Sequence, residues 1–292
     1  MHIDLKDMTL IRELVQRRAG IVLDDSKGYL IEARVTALAR KLGLATVEAL
    51  LAKLRNPTPG DPVRAVEAVV EAMTTNETSF FRDATPFECV HRHVMPDLLA
   101  RRAVERRLNI WSAASSTGQE PYTLAITLCE HFPQLASWTV TFIASDLSQD
   151  VLAKARAGRY SQMEMDRGMP APLLAKYFRK DGGEYEANPD LRQMIDFRQV
   201  NLLEAWPTMP KLDLVFCRNV LIYFNQATKT KIIGRIRGLM RPDGYLFLGA
   251  AETTLGVDEA FERTAQEKSG CYRLRAAPAI PMLLPRPPAK AA

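Results

Sequence analysis

The sequence predicts an α/β fold in which a mainly parallel sheet is preceded by an all-helical region and carries a small β insert. Beyond residue 108, short apolar runs that suit buried strands alternate with segments of helical periodicity. Residues 1–73 show helical periodicity and little else, whereas turn-forming Gly and Pro interrupt residues 160–196. The predicted division is a helical domain (1–73), a linker segment and helix (74–107), an α/β domain (108–275) with its insert at about 160–196, and a Pro/Ala-rich tail (276–292) expected to be disordered.

The N-terminal region is predicted to be a bundle of four helices. Apolar residues recur at helical spacing in each helix, and residues such as Asp24 and Gly43 provide its start or stop signals. The predicted bounds are about 5–20, 24–42, 47–55 and 63–73, with a turn cluster over 56–62. In the second helix Lys27, Arg34 and Lys41 recur at intervals of seven and share a face. That face is either a solvated basic surface or a docking strip for an acidic partner helix.

The stretch from Leu108 to Leu128 indicates a ligand-binding turn between a strand and a helix. A short apolar run ending at Trp111 is followed by seven residues, Ser112 to Gly118, that are all Ser, Ala, Thr or Gly, and a helical pattern begins at Pro121. The loop is neither a G-x-G-x-x-G motif nor a P-loop, so a nucleoside-like ligand without a pyrophosphate is favoured. Glu120 is well placed to accept hydrogen bonds from ribose hydroxyls. The alternative is a strand–helix turn that binds nothing.

Polar residues also follow the later predicted strands. Asp146 follows the strand 138–145, Asn201 and Leu202 follow the strand 195–200, and Arg218 and Asn219 follow the strand 212–217. Asp146 could instead merely cap the next helix. The carboxyl ends of parallel strands meet at one edge of a sheet, which is where open α/β sheets bind ligands. Acidic side chains could bind the hydroxyls of a ribose, and polar residues could surround a base. This arrangement fits S-adenosylmethionine better than a dinucleotide.

The remaining predicted elements complete the sheet. Helices are expected over 86–107, 149–157, 173–178 and 226–240; a turn is expected over 241–244, a strand over 245–250, and a final antiparallel hairpin over 261–275. A strand near the end of the chain followed by an antiparallel hairpin suits a methyltransferase sheet. The polar linker residues Asn76, Thr78 and Arg82 could all contact a small ligand, with Phe80 and Phe81 anchoring the segment.

Composition and charge disfavour several other classes of protein. The four cysteines have no C-x-x-C spacing and no His clustered beside them, so we expect buried thiols in a reducing compartment and no metal site. The first residues lack the apolar core of a signal peptide, and no window approaches the roughly 18 apolar residues of a membrane helix, so a cytoplasmic location is expected. Residues 1–107 hold 17 Lys and Arg against 15 Asp and Glu, a balance that disfavours nucleic-acid binding.

Four segments make the sequence similar to a known family. Residues 76–82 (NETSFFR), 111–122 (WSAASSTGQEPY), 144–146 (ASD) and 216–224 (FCRNVLIYF) resemble the chemotaxis receptor glutamate O-methyltransferase family of the CheR type. The resemblance runs from the N-terminal helices to about Arg275 and its motifs are long. It implies a Rossmann-like class I methyltransferase sheet and methylation of glutamate side chains on the cytoplasmic helices of chemoreceptors. The methyl donor would be S-adenosyl-L-methionine and the product S-adenosyl-L-homocysteine.

The resemblance also implies roles for individual residues. Tyr223 would lie near the transferred methyl group, and the strip Lys27, Arg34 and Lys41 would dock the acidic receptor. The family implicates an arginine of the helical region near the substrate carboxylate, but the sequence does not fix which one. The implied cofactor-binding residues are Asn76, Thr78, Arg82, Glu120, Asp146, Asn201, Leu202, Arg218 and Asn219.

Two questions about function stay open from the sequence. The main alternative is a regulatory module that senses S-adenosylmethionine or a signalling nucleotide on the same fold without turnover. Whether the insert at 160–196 holds a tethering peptide at the receptor's C-terminus is also undecided, although its short turn at Asp181–Gly183 slightly disfavours it. We expect a monomer that acts on the cytoplasmic domains of chemoreceptors, without nucleic acid and without insertion into the membrane.

Overall fold

The computed structural model describes residues 3–56, 58, 64–265 and 267–275. The helices are α1 (Leu5–Ala19), α2 (Gly28–Lys41), α3 (Val47–Arg55), α4 (Ala65–Ala72), α5 (Ala84–Cys89), α6 (Met95–Arg101), α7 (Gln119–His131), α8 (Gln149–Ala157), α9 (Gln162–Asp166), α10 (Ala171–Tyr177), α11 (Pro189–Gln193) and α12 (Gln226–Leu239). The strands are β1 (Arg107–Ala113), β2 (Thr139–Asp146), β3 (Arg159–Ser161), β4 (Phe178–Asp181), β5 (Glu184–Ala187), β6 (Asp196–Gln199), β7 (Leu212–Cys217), β8 (Met240–Leu248), β9 (Phe261–Arg263) and β10 (Cys271–Leu274). The tail over 276–292 and most of the turn cluster over 56–62 lie outside the described residues.

The α/β fold is confirmed by a seven-stranded sheet of order β6-β2-β1-β7-β8-β10-β9. The first five strands in this order run parallel, whereas β10 pairs antiparallel with β8 and β9 pairs antiparallel with β10. Every residue of β7, and every residue of β1 except the first, is buried. Strands covered on both faces need such continuous apolar runs, which is why these two segments stand out in the sequence.

Three local predictions need correction. Residues 241–244, expected to form a turn, belong to β8, and the irregularity lies in the pairing register, which shifts between Leu212 and Leu214 of the neighbouring strand. The helix expected over 86–107 ends at Arg101 and contains a π-helical segment, Val90–Val94, between α5 and α6. Asp146, expected after β2, is its last residue. The Pro-Asp-Gly run within 241–244 is typical of a turn, and one π-helical turn changes the spacing of apolar residues over too short a stretch to be recognised.

The insert forms its own three-stranded sheet of order β3-β5-β4 and holds the linker segment. The ring of Phe80 packs edge-to-face on Tyr160 and Phe178, with ring centroids 5.0 and 5.6 Å apart. A side chain at Gly168 would place its Cβ 2.2 Å from the Phe80 carbonyl oxygen, so glycine is required where the two backbones meet. The insert therefore anchors the segment that carries Asn76, Thr78 and Arg82.

The helical region packs against the carboxyl edge of the large sheet. After α1 the backbone turns at Gly20, whose φ is +74°, and Ile21 pairs with Phe224 in an isolated antiparallel bridge. The Val22 N–H donates to the Tyr223 carbonyl over 2.9 Å. These contacts join the start of the chain directly to the segment that follows β7. Among the described residues, no helix combines the length and apolar character needed to cross a bilayer.

Candidate functional site

A cavity lies at the carboxyl edge of the sheet, between the sheet and the helical region. The space between its walls, counted out through the open mouth and so including solvent, is about 950 Å³. The linker segment, the loop after β1, the ends of β2, β6 and β7, and Ala19 and Ile21 of the helical region line it. Its lining includes every residue predicted for cofactor binding or catalysis: Asn76, Thr78, Arg82, Glu120, Asp146, Asn201, Leu202, Arg218, Asn219 and Tyr223.

The small-residue loop forms one wall of the cavity. Ala114, Ser116 and Gly118 all have positive φ values, of 54°, 50° and 96°. A Cβ at position 118 would lie 3.0 Å from both the Ala155 Cβ and the Tyr160 hydroxyl, so the glycine is required both for its φ and for the close approach of α8. The Tyr160 hydroxyl donates to the Thr117 carbonyl over 2.7 Å and ties the loop to the insert.

Glu120 is paired with a buried arginine. Its carboxylate accepts a hydrogen bond from the Ser112 hydroxyl at 3.1 Å and from the Arg218 guanidinium at 2.9 Å. Burial raises the pKa of Glu120, while the charge of Arg218 and these hydrogen bonds oppose the shift. Arg218 also pairs with Asp83 at 2.9 Å, and only 1% of its side chain is exposed. Arg218 therefore fixes Glu120 and joins β7 to the start of α5.

Asp146 is held by the backbone of the loops beside it. Its two carboxylate oxygens accept hydrogen bonds from the N–H groups of Ser116 at 2.9 Å and Ser148 at 3.0 Å. Burial raises the pKa of Asp146, and these backbone donors act in the opposite direction. A carboxylate has about four acceptor positions, so Asp146 retains capacity for ligand hydroxyls.

The linker segment forms a polar wall across the cavity from α7. The Ser116 hydroxyl donates to the Asn76 carbonyl over 2.9 Å, and the Phe81 N–H donates to the Thr123 hydroxyl over 3.1 Å. The Arg82 guanidinium reaches back to the Glu77 carbonyl at 2.9 Å and closes the segment into a loop. The linker residues that are separate in the sequence pattern, Asn76, Thr78 and Arg82, therefore belong to one structural unit.

The basic strip does not behave as one surface. Lys27 pairs with Asp24 at 3.4 Å, and Lys41 forms an ion pair with Asp150 of α8. Arg34 instead donates to the Thr75 hydroxyl at 3.3 Å, next to the cavity-lining linker. Burial lowers the pKa of Arg34, and the nearby Tyr223 opposes that shift. Its Nη1 is buried and has no partner among the described residues.

Sequence reasoning missed three residues of the site. Ser115 lines the cavity with a buried hydroxyl that has no hydrogen-bond partner within the described chain. Asp83 pairs with Arg218, and Glu252 accepts backbone hydrogen bonds from the turn that contains Asn219. Three residues separate Glu252 from the end of β8, whereas Asp146 ends β2 and Arg218 follows β7 directly, so the strand-end rule did not single out Glu252.

The lining suits a nucleoside that also carries an amino acid moiety. Two ionised acids can accept hydrogen bonds from ribose hydroxyls or from an ammonium group, and the unpartnered Ser115 hydroxyl can donate one. The loop presents backbone rather than long side chains, which allows a ligand to approach closely. Among the described residues that line the cavity there is no lysine, so the lysine with which a P-loop binds phosphates has no counterpart here.

Two family models match most of the chain. Residues 6–74 match the CheR methyltransferase all-alpha domain, and residues 76–269 match the CheR methyltransferase SAM binding domain. The chain is 38% identical to chemotaxis protein methyltransferase 1 of Pseudomonas aeruginosa, over 92% of this chain and 98% of that protein. It is 40% identical to chemotaxis protein methyltransferase 2 of the same organism, over 86% and 88%. It is 37% identical to the chemotaxis protein methyltransferase of Escherichia coli, over 88% and 87%.

Proposed function

We propose that this chain, which belongs to the CheR methyltransferase family, methylates glutamate side chains on the cytoplasmic domains of chemoreceptors. The products would be glutamate methyl esters, which adjust receptor signalling during chemotaxis, and S-adenosyl-L-homocysteine. The observation that carries the proposal is the cavity at the carboxyl edge of the sheet, which Tyr223 lines, together with Arg34, which lies near Tyr223 and donates a hydrogen bond to the cavity-lining Thr75. We further propose that the protein works as a cytoplasmic monomer and binds no nucleic acid.

The cofactor-binding residues are assigned by their place in the cavity. Glu120 and Asp146 would accept hydrogen bonds from the ribose and from the amino group of the methionine moiety. The linker residues would close the opposite wall, while Asn201, Leu202 and Asn219 would border the base and the methionine tail. When bound, S-adenosylmethionine supplies an electrophilic methyl group on a sulfonium. Arg218 would act through Glu120, because its guanidinium is already shared between Glu120 and Asp83.

Arg34 is the arginine that we propose to bind the substrate carboxylate. Its buried, unpartnered Nη1 is a donor that a ligand can satisfy, and leaving such a donor unpaired costs roughly 1–3 kcal/mol. The hydrogen bond to Thr75 holds the guanidinium beside the linker, and its pKa responds to Tyr223. A guanidinium with two free N–H groups can bind a carboxylate in a bidentate manner. The arginine that the sequence left unassigned is therefore proposed to be Arg34.

The reaction requires positioning more than acid–base chemistry. A glutamate carboxylate is ionised at neutral pH, so it needs no general base before it can act as a nucleophile. Arg34 and the Tyr223 hydroxyl would orient the carboxylate in line with the methyl group, and the helical region would exclude water from the mouth. The four histidines lie outside the four family-like segments, which agrees with chemistry that needs no imidazole base.

The proposal is tested by incubating the protein with methyl-labelled S-adenosylmethionine and cytoplasmic fragments of candidate chemoreceptors. We expect label on the receptor that is released as methanol by mild base, because glutamate methyl esters hydrolyse readily. A receptor fragment whose methylated glutamates are changed to alanine should remain unlabelled. Base-stable label would indicate another nucleophile. Cofactor binding without transfer to any receptor would favour the non-catalytic sensing module.

A further inference from the structure

Glu252 lies behind the site and has no role in the function proposed so far. It follows β8, its residue is only 8% exposed, and it does not line the cavity. Its Oε2 accepts hydrogen bonds from the N–H groups of Asn219 at 2.8 Å and Gly249 at 2.6 Å. Its Oε1 accepts from Leu221 at 2.7 Å and Ile222 at 3.3 Å. One carboxylate thus binds four backbone donors.

The turn that Glu252 binds has a conformation that needs support. Asn219 has a φ of +58°, in the left-handed region that residues other than glycine rarely adopt. The backbone N–H groups of Asn219, Leu221 and Ile222 in this turn all donate to Glu252, and buried N–H donors need such partners. Gly249 lies against the same turn, and a Cβ there would lie 2.8 Å from the Asn219 Nδ2 and from the Glu252 Oε2. Little room remains for the turn to relax, so the carboxylate determines its shape.

This turn leads directly to the proposed catalytic residue. Asn219 lines the cavity at the start of the turn, and the Tyr223 N–H donates to the Val220 carbonyl at 3.2 Å at its end. The Tyr223 carbonyl in turn accepts the N–H of Val22 from the helical region. Glu252 therefore fixes the start of a short segment whose far end is fixed by Val22, and Tyr223 stands between the two attachments.

We propose that Glu252 is a positioning residue for methyl transfer, whose carboxylate holds the turn 219–222 so that Asn219 faces the cofactor and Tyr223 faces the substrate. The inference rests on the proposed roles of Asn219 and Tyr223. A glutamate side chain suits the position, because both of its carboxylate oxygens accept hydrogen bonds from N–H donors. Glutamine would turn an NH₂ group toward two of those donors, and aspartate would be one methylene too short to reach both pairs.

The test compares Glu252→Gln with Glu259→Gln. Glu259 is exposed in the same loop and accepts one backbone hydrogen bond, from Gly256 at 2.9 Å, so it provides a matched loss of charge. We expect Glu252→Gln to lower kcat for receptor methylation by about 10- to 100-fold, since displacement by about 1 Å can cost that much. S-adenosylhomocysteine affinity should fall a few-fold through Asn219, and the amides of residues 219–222 should exchange hydrogen faster. Glu259→Gln should match the wild type in all three measurements.

The variant Tyr223→Phe distinguishes a positioning role of Glu252 from a merely structural role. If Glu252 acts through Tyr223, adding Glu252→Gln to Tyr223→Phe should lower kcat much less than it does in the wild type. The inference is overturned if Glu252→Gln lowers only the melting temperature, with kcat and cofactor affinity equal to those of Glu259→Gln well below unfolding. It is also overturned if the two changes lower kcat independently.

The test also distinguishes failure of the inference from failure of the proposed function. If the wild-type protein forms no receptor ester, the proposed function fails. Amide exchange and S-adenosylhomocysteine affinity then still report on whether Glu252 shapes the turn, with faster exchange and weaker binding supporting that role. If the wild type forms the ester and Glu252→Gln forms it at the same rate, the positioning role alone is wrong.

Discussion

Glu120 illustrates how a single residue of the site balances burial against charge. A carboxylate removed from water favours its protonated form, yet ligand binding requires the ionised form as an acceptor. Arg218 resolves this conflict because its guanidinium is itself buried and shared between Glu120 and Asp83. The pKa of Glu120 nevertheless stays above its ordinary value, so the site is sensitive to mild acid.

Replacing Glu120 with Gln should weaken S-adenosylhomocysteine binding by about 10-fold or more at pH 7.5, because charge-assisted hydrogen bonds contribute about 1.5–3 kcal/mol. In the wild type, the affinity should fall as the pH drops through the raised pKa values of Glu120 and Asp146, starting above the range of an ordinary carboxyl. In the variant Glu120→Gln, the fall in affinity that remains as the pH drops should reflect protonation of Asp146 alone. Titration calorimetry between pH 5 and 8 measures both effects.

The matched control is Glu130→Gln, since Glu130 lies at the far end of the same helix and binds Lys176 and Tyr177. That variant should bind S-adenosylhomocysteine as the wild type does at every pH. Equal affinity of Glu120→Gln and the wild type at pH 7.5 would show that Glu120 does not contact the ligand.

Arg34→Gln should separate receptor recognition from cofactor binding. We expect kcat/KM for the receptor to fall by about 10- to 100-fold, because a charged hydrogen-bond donor to the substrate carboxylate is lost. The affinity for S-adenosylhomocysteine should stay within about 2-fold of the wild type, since no cofactor role is assigned to Arg34. Arg40→Gln, on an exposed position of the same helix, is the control and should leave both values unchanged. A parallel loss of cofactor affinity would place Arg34 in the cofactor site instead.

At the scale of elements, the site could be predicted from the sequence wherever a strand ends in a polar residue. Asp146, Asn201 and Arg218 were found in this way because parallel strands bring their carboxyl ends together. Glu252 was not predicted because three small residues separate it from β8. Its hydrogen-bond donors are backbone N–H groups, which no side-chain pattern indicates. The irregular pairing of β7 with β8 was not predicted because Pro and Gly indicate turns more often than irregular strands.

The amino ends of the strands, opposite the site, carry a charge network that should stabilise the fold. Arg102, at the end of α6, pairs with Asp213 of β7 at 2.7 Å and with Asp243 of β8 at 2.6 Å. Asp213 is fully buried and also accepts the N–H of Asn109. Removing the arginine would leave this buried carboxylate with the Asn109 N–H and the more distant Arg241, at 3.4 Å, as its remaining partners.

Arg102→Met should therefore lower the free energy of unfolding by about 3–5 kcal/mol, the usual cost of breaking a buried ion pair. Chemical denaturation followed by circular dichroism measures the change. Arg101→Met provides the control, because the neighbouring Arg101 is about half-exposed and exposed pairs contribute about 1 kcal/mol or less. A similar loss in both variants would mean that burial of the network adds no stability.

At the scale of the whole molecule, the proposed function depends on the contact between the helical region and the sheet. The sequence predicted both parts, because helical and strand periodicity differ. It could not predict that Arg34, rather than either lysine of the basic strip, contacts the cavity-lining Thr75, since Lys27, Arg34 and Lys41 are equivalent by spacing. Only the packing of α2 over the linker distinguishes them: Arg34 meets Thr75, whereas Lys41 meets Asp150. The docking role of the two lysines remains a prediction.

That role can be tested with Lys27→Gln/Lys41→Gln, which removes two charges without placing an acid beside Asp150. If the outer part of α2 docks an acidic receptor helix, KM for the receptor should rise several-fold and its dependence on ionic strength should weaken, because exposed charges act through screened attraction. The value of kcat and the affinity for S-adenosylhomocysteine should not change, as neither lysine lines the cavity. The effect should be smaller than that of Arg34→Gln, because Asp24 and Asp150 already offset part of the positive charge. Lys6→Gln/Lys180→Gln removes the same charge from α1 and β4, and an equal rise in KM there would show that net charge, not the α2 surface, attracts the receptor.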